Sequence, residues 1–156
     1  MNIKMTALFA ATLFIATGIA GGHAAGTAAS MDDDTTPPDV TILSPEEGYI
    51  HFAGIQLFRN PFGLTMTMGA FLFKPGVAVA VDNVDHPSEL AVTVSLDGKP
   101  AVNAYFVPCD NTFEWTGSLG PGFGIYTLTV TAEDTSGNMG SAELQVFYDC
   151  ILPASG

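Results

Sequence analysis

The chain has 156 residues, 47% of them apolar, with 4 basic against 16 acidic side chains and a formal net charge of −12. One domain with a sizeable core is the expectation at this length. So acidic a surface repels phosphate backbones and anionic lipid, which sets nucleic-acid and lipid-surface binding aside.

The chain opens with "MNIKMTALFAATLFIATGIAGGHAAG". Lys4 supplies a positive n-region, Met5 to Ile19 an uncharged apolar run, and Gly22-His23-Ala24 the small residues of a cleavage site. This is the pattern of a secretory signal peptide over residues 1–24. The run is short for a spanning helix, which needs about 20 apolar residues. No membrane span is expected after cleavage, and the protein is expected to be secreted or held at the cell surface. Residues 25–38, "AGTAASMDDDTTPP", are small, acidic and proline-terminated. With nothing apolar to bury they read as a disordered leader, in which Asp32-Asp33-Asp34 is a solvated charge run.

From Val40 the apolar residues alternate with period two, the mark of strands with one buried face. "DVTIL" sets Val40 and Ile42 on one side. "GVAVAVD" is expected to turn Val77, Val79 and Val81 inward and its alanines outward. "LAVTVSLDG" aligns Val92, Val94 and Leu96 before a turn at Asp97-Gly98. "NTFEWTG" aligns Phe113 and Trp115. "GIYTLTVTAED" aligns Tyr126, Leu128, Val130 and Ala132, with threonines opposite. "SAELQVFYD" aligns Ala142, Leu144, Val146 and Tyr148. No segment after the signal peptide has a useful 3.6-residue period. About seven short antiparallel strands over residues 39–150, followed by a tail at 151–156, predict an all-β sandwich.

Four stretches taken in order, "PPDVTILSPEEGYI" (37–50), "VSLDGKP" (94–100), "NTFEWTG" (111–117) and "YTLTVTAEDTSGNMGSAELQVF" (126–147), resemble the prokaryotic immunoglobulin-like domains of secreted and cell-surface proteins. The resemblance implies an immunoglobulin-like sandwich that serves as a spacer, adhesion unit or binding module and is rarely catalytic alone. Such domains usually occur in arrays, whereas a single copy is seen here. The tail "LPASG" has only a superficial likeness to a sorting signal and is read as chance.

The residue types for catalysis are sparse. There is no G-x-S-x-G and no phosphate-cradling loop, and the cysteines form no C-x-x-C. The histidines past the signal peptide, His51 and His86, have no metal spacing. A non-catalytic role is expected, with an extracellular or envelope protein or glycan as partner. "EDTSGN" (133–138) reads as the turn between the last two strands, with Asp134 accepting from turn N–H groups. If it emerges beside "DNVDHPSE" (82–89), the two gather Asp82, Asp85, Glu89, Glu133 and Asp134, a set of oxygen donors for weak calcium or for carbohydrate. No other cofactor is expected. A second candidate is "GIQLFRNPFGLTMTMGAFLFKPG" (54–76), two extended arms about a turn at Asn60-Pro61-Phe62-Gly63. Its Leu57, Phe58, Phe62, Leu64, Met66 and Met68 form either a hairpin folded over a sheet edge or a surface for a partner.

Cys109 and Cys150 in an exported chain default to one disulfide. The expected topology sets them a strand's length apart, against the roughly 7 Å limit between bonded Cα atoms. An intermolecular link is therefore the alternative.

Overall fold

The computed structural model describes residues 34–155, so the expected signal peptide and the leader up to residue 33 lie outside it. Eleven strands form: β1 (Asp39–Ser44), β2 (Tyr49–Phe52), β3 (Ile55–Arg59), β4 (Thr65–Met68), β5 (Phe71–Val81), β6 (Ala91–Leu96), β7 (Val102–Asn103), β8 (Tyr105–Val107), β9 (Thr112–Gly117), β10 (Gly122–Glu133) and β11 (Met139–Cys150). A small sheet in the order β1-β5-β9-β8 packs on a large one in the order β3-β2-β4-β11-β10-β6-β7. The all-β sandwich is as expected. The strand number is larger, because residues 49–68 add three short strands to one side of the large sheet.

Between the sheets the inward phases of β6, β9, β10 and β11 are those the alternation predicts. Val92, Val94, Leu96, Phe113, Trp115, Leu128, Val130, Ala132, Val146 and Tyr148 are all buried. β5 reverses the expectation. Ala78 and Ala80 are buried, while Val77 and Val79 are half-buried and Val81 is exposed. The cause lies across the sheet: Gly76 is opposite Trp115 and Ala78 opposite Phe113. Both large rings occupy the space between the sheets, so only small residues fit beside them at native packing density. Phe71 closes on the Trp115 ring edge-to-face, with centroids 5.8 Å apart.

The 54–76 segment is not one hairpin. β3 turns back on β2, and the chain then inserts β4 between β2 and β11, parallel to both. Buried Asn60 makes that path possible. Its N–H donates to the Gly48 carbonyl at 2.7 Å, its Nδ2 donates to Leu64 O at 2.6 Å, and its Oδ1 accepts from Phe62 N at 3.1 Å. Thr65 Oγ1 accepts from Gly48 N at 2.8 Å and aligns β4 with β2.

At the end of the sandwich where β11 finishes, Ser118 ties the tail down. Its N–H donates to Ser155 Oγ at 2.7 Å, its carbonyl accepts from Ser155 N at 2.9 Å, and its hydroxyl donates to Leu152 O at 2.9 Å. Cys150 Sγ lies 3.4 Å from the same hydroxyl. Burial pushes the neighbouring Tyr148 phenol up to about 12, while its Ser118 hydrogen bond works the other way. The expected disulfide is absent: both thiols are free, Cys150 buried and Cys109 exposed. Cys109 sits between β8 and β9 at the opposite end, where β9 starts across from the last residues of β5. The length of the sandwich separates the two sulfurs.

Candidate functional site: the acidic end and the outer face

At the acidic end, the loop after β5 meets the β10–β11 turn, as the sequence suggests. Thr135 donates to Asp85 through its N–H at 2.8 Å and its hydroxyl at 2.9 Å. Within the turn, Asn138 donates its N–H to Asp134 Oδ1 at 2.8 Å and its Nδ2 to Oδ2 at 2.7 Å. Gly137 takes φ 87°, a left-handed value that a side chain disfavours. Burial raises the Asp134 carboxyl, but hydrogen bonds from the Asn138 side chain and from turn N–H groups outweigh it, leaving the pKa below its ordinary value.

Of the expected ligands, only Asp85 and Asp134 come together. Asp82 Oδ2 accepts from the N–H groups of Val84 and Asp85, both at 2.8 Å, and so shapes its own loop. Glu89 accepts from His86 N at 2.9 Å and closes a capping box on the 3₁₀ turn Pro87–Glu89. Glu133 is exposed, in the strand phase that faces away from the core. The third member is Asp34, from the stretch read as leader. One carboxylate oxygen from each of Asp34, Asp85 and Asp134 lies within 4.8 Å of the others. Asp34 is placed there by its carbonyl, which accepts from Asn138 Nδ2 at 2.9 Å, and by buried Pro38 packing on Gly140. Asp34 Oδ2 is buried and has no partner among the described residues. The partners these carboxylates do have are amides and a hydroxyl, none of them cationic. Three hard oxygens this close suit a cation such as calcium, which takes six to eight oxygen ligands and completes its shell with water.

The second surface is the outer face of the large sheet. A sandwich normally turns polar residues outward. Here the phase of β2 and β4 is inverted. His51, Thr65 and Thr67 are buried, and Ile50, Phe52, Met66 and Met68 lie on the alternate, outward phase. The register aligns them in two rows. Phe58, Ile50, Met66, Phe147 and Ile125 form one; Ile55, Phe52, Met68, Asp149 and Phe123 form the other. Exposure reaches 59% at Phe58, 64% at Ile125 and 75% at Phe123. At the end of the band a groove of about 540 Å3 is lined by Phe52, Met68, Leu72, Phe73, Ile151 and Leu152.

Of the residues expected to bind a partner, Leu57, Phe58 and Phe62 are exposed, and Leu64, Met66 and Met68 are half-buried. Six apolar members of the two rows were missed: Ile50, Phe52, Ile55, Phe123, Ile125 and Phe147. A signal was present. Ile125 shares its phase with Thr127 and Thr129, and Phe147 shares its phase with Glu143 and Gln145. An apolar residue on the polar phase is the visible sign of an outward patch.

No family model and no curated protein matches this sequence. Among the described residues no helix is long and apolar enough to cross a membrane.

Proposed function

We propose that this chain is a non-catalytic, exported, immunoglobulin-like module that binds a protein partner at the cell envelope. The outer face of its large sheet is the binding surface. The observation that carries this reading is the apolar band across β3, β2, β4, β11 and β10, with polar residues turned inward beneath it. Soluble monomers rarely expose contiguous apolar area beyond a few hundred Å2, and larger patches mark interaction sites. Export follows from the signal-peptide pattern at residues 1–24. The test is capture of envelope proteins by the purified protein, beside a Phe52→Asp, Ile125→Asp variant. Both side chains are exposed, and circular dichroism checks that the variant keeps the fold. Capture lost in the variant supports the reading, and equal capture by both refutes it.

A second reading rests on the convergence of Asp34, Asp85 and Asp134. It makes the acidic end a weak calcium site, with a dissociation constant of about 0.1–1 mM as in extracellular modules. Calorimetric titration with calcium should give a saturable signal that Asp85→Asn removes. No saturable binding at millimolar calcium ends this reading.

A further inference from the structure

Among the described residues the outer face has one open edge. Of the four sheet edges, β7 and β8 are two and three residues long, and β1 packs beside β11. β3 has five residues, exposed along its whole length, with no proline and with Arg59 at its very end as its one charged side chain. Proteins usually blunt such edges with short strands, prolines or charges. We propose that two copies of this chain pair through β3, edge to edge and antiparallel across a two-fold axis. The inference rests on the outer-face reading and names the occupant of that face at its open edge.

Three observations select a second copy. The first is phase. Ile55 and Phe58 lie opposite Phe52 and Ile50 and face outward with them, while Gln56 lies opposite inward-facing His51. A bulge falls between them. A two-fold pairing that sets Ile55 opposite Phe58 of the other copy, and Gln56 opposite its bulged Leu57, matches outward residues with outward residues at both ends. The outward apolar residues of β3 then meet across the axis, in a self-complementary contact. The second is charge. The chain carries −12 overall, so two copies repel over most approaches. Two of its four basic residues flank this edge: Arg59 ends β3, and Lys74 abuts Gly54 just before β3 begins. In the stated register Arg59 is one cross-strand diagonal from Gln56 of the other copy, within reach of a long side chain. Gln56 Nε2 donates to Glu46 Oε2 at 3.0 Å, so Arg59 of each copy arrives beside Glu46 of its mate. The third is area. Phe52, Ile55, Leu57, Phe58 and Phe62 are between 38% and 91% exposed. With roughly 200 Å2 for a large side chain, they offer about 600 Å2 of apolar surface per copy. Exposed Leu72 and Phe73 nearby bring the patch close to the ~800 Å2 per partner of a standard interface.

The experiment is sedimentation of the purified protein through the micromolar range. A monomer–dimer equilibrium is expected, and it should tighten with salt as repulsion between acidic copies is screened. Phe58→Lys, at an exposed edge position, should raise the dissociation constant at least about tenfold. Arg59→Glu should weaken pairing, and adding Glu46→Arg to the same chain should restore it. Such a rescue, read as recovery of the dimer, couples the two charges in the pairing. Circular dichroism identifies any variant that has lost the fold. A monomer at every concentration overturns the proposal, as does a dimer indifferent to Phe58→Lys. The outer-face reading fails separately. If envelope capture is lost on Phe52→Asp, Ile125→Asp while the free protein stays monomeric, only the self-pairing is overturned. A β3-dependent dimer with no captured partner supports the pairing and refutes the envelope-binding role.

Discussion

Gly76→Ala tests the packing that decides the phase of β5. A Cβ at this position would lie 2.0 Å from Cε2, 2.2 Å from Cζ2 and 2.5 Å from Nε1 of Trp115. Ordinary contact begins near 3.4 Å, so the closest atom is about 1.4 Å too near. The indole cannot simply rotate away. It is 1% exposed, Phe71 closes on it edge-to-face, and β9 holds its backbone in register with β5. Relief must come from moving strands or forcing the ring off its rotamer, which costs about 1–3 kcal/mol. Alanine recovers about 0.4–1 kcal/mol by restricting the unfolded chain. A contact this short sits at the upper end of that range, so the net destabilisation is about 2 kcal/mol. For a domain of this size that lowers Tm by roughly 8 °C. Thermal unfolding followed by circular dichroism reads the loss, and tryptophan emission reads displacement of the ring. The control is Val81→Thr, at a valine 53% exposed, which should stay within about 0.5 kcal/mol of the parent. A Gly76→Ala protein with unchanged Tm and emission would refute the contact. A large loss in Val81→Thr would restore the opposite phase, with valines inward.

Acid should weaken the fold through His51 before the carboxylates contribute. Burial holds the His51 pKa below its ordinary value, although the Glu46 carbonyl and carboxylate pull the other way. With the folded value below the unfolded one, this contribution is complete above about pH 6.5 and is lost as pH falls through 6.5 toward the folded value. Asp134 is also lowered, so its contribution is lost only as pH falls below the ordinary carboxylate range. Urea midpoints at pH 7.5 and 5.5 should therefore differ in the parent and differ less in His51→Gln; equal differences would remove His51 as the cause. The thiols give a second check. A thiol reagent should modify Cys109 at once and Cys150 only on unfolding, and reduction should leave the mass unchanged. A gain of two protons on reduction, with no fast thiol, would mean that the cysteines are bonded.

The sandwich and most of its inward phases were legible because strand alternation and turn chemistry are local. Val92 to Leu96, Phe113 with Trp115, and Tyr126 to Ala132 carry their phase within a few residues. The Asp134–Asn138 turn likewise closes on its own side chains. β5 did not carry its phase. Valine and alanine are both apolar, so either could face inward, and the Trp115 and Phe113 rings across the sheet made the choice. The path of residues 54–68 had the same character. Two extended arms about a turn suggest a hairpin, but buried Asn60 and the Gly48–Thr65 hydrogen bond send the second arm between β2 and β11.

The two surfaces divide in the same way. Leu57, Phe58, Met66 and Met68 stood out as an apolar run in the sequence. That Phe58, Met66 and Met68 align with Phe123, Ile125 and Phe147 is a matter of register between strands more than fifty positions apart, which alternation within one strand does not encode. The acidic residues of both loops were visible, yet local hydrogen bonds took Asp82 and Glu89 for loop shaping. Asp34, from a stretch that looked like solvated leader, took the third place. Sequence alone determined which residues could face the core, because that depends on neighbours along the chain. Tertiary structure decided which exposed residues stand together, because that depends on neighbours across space.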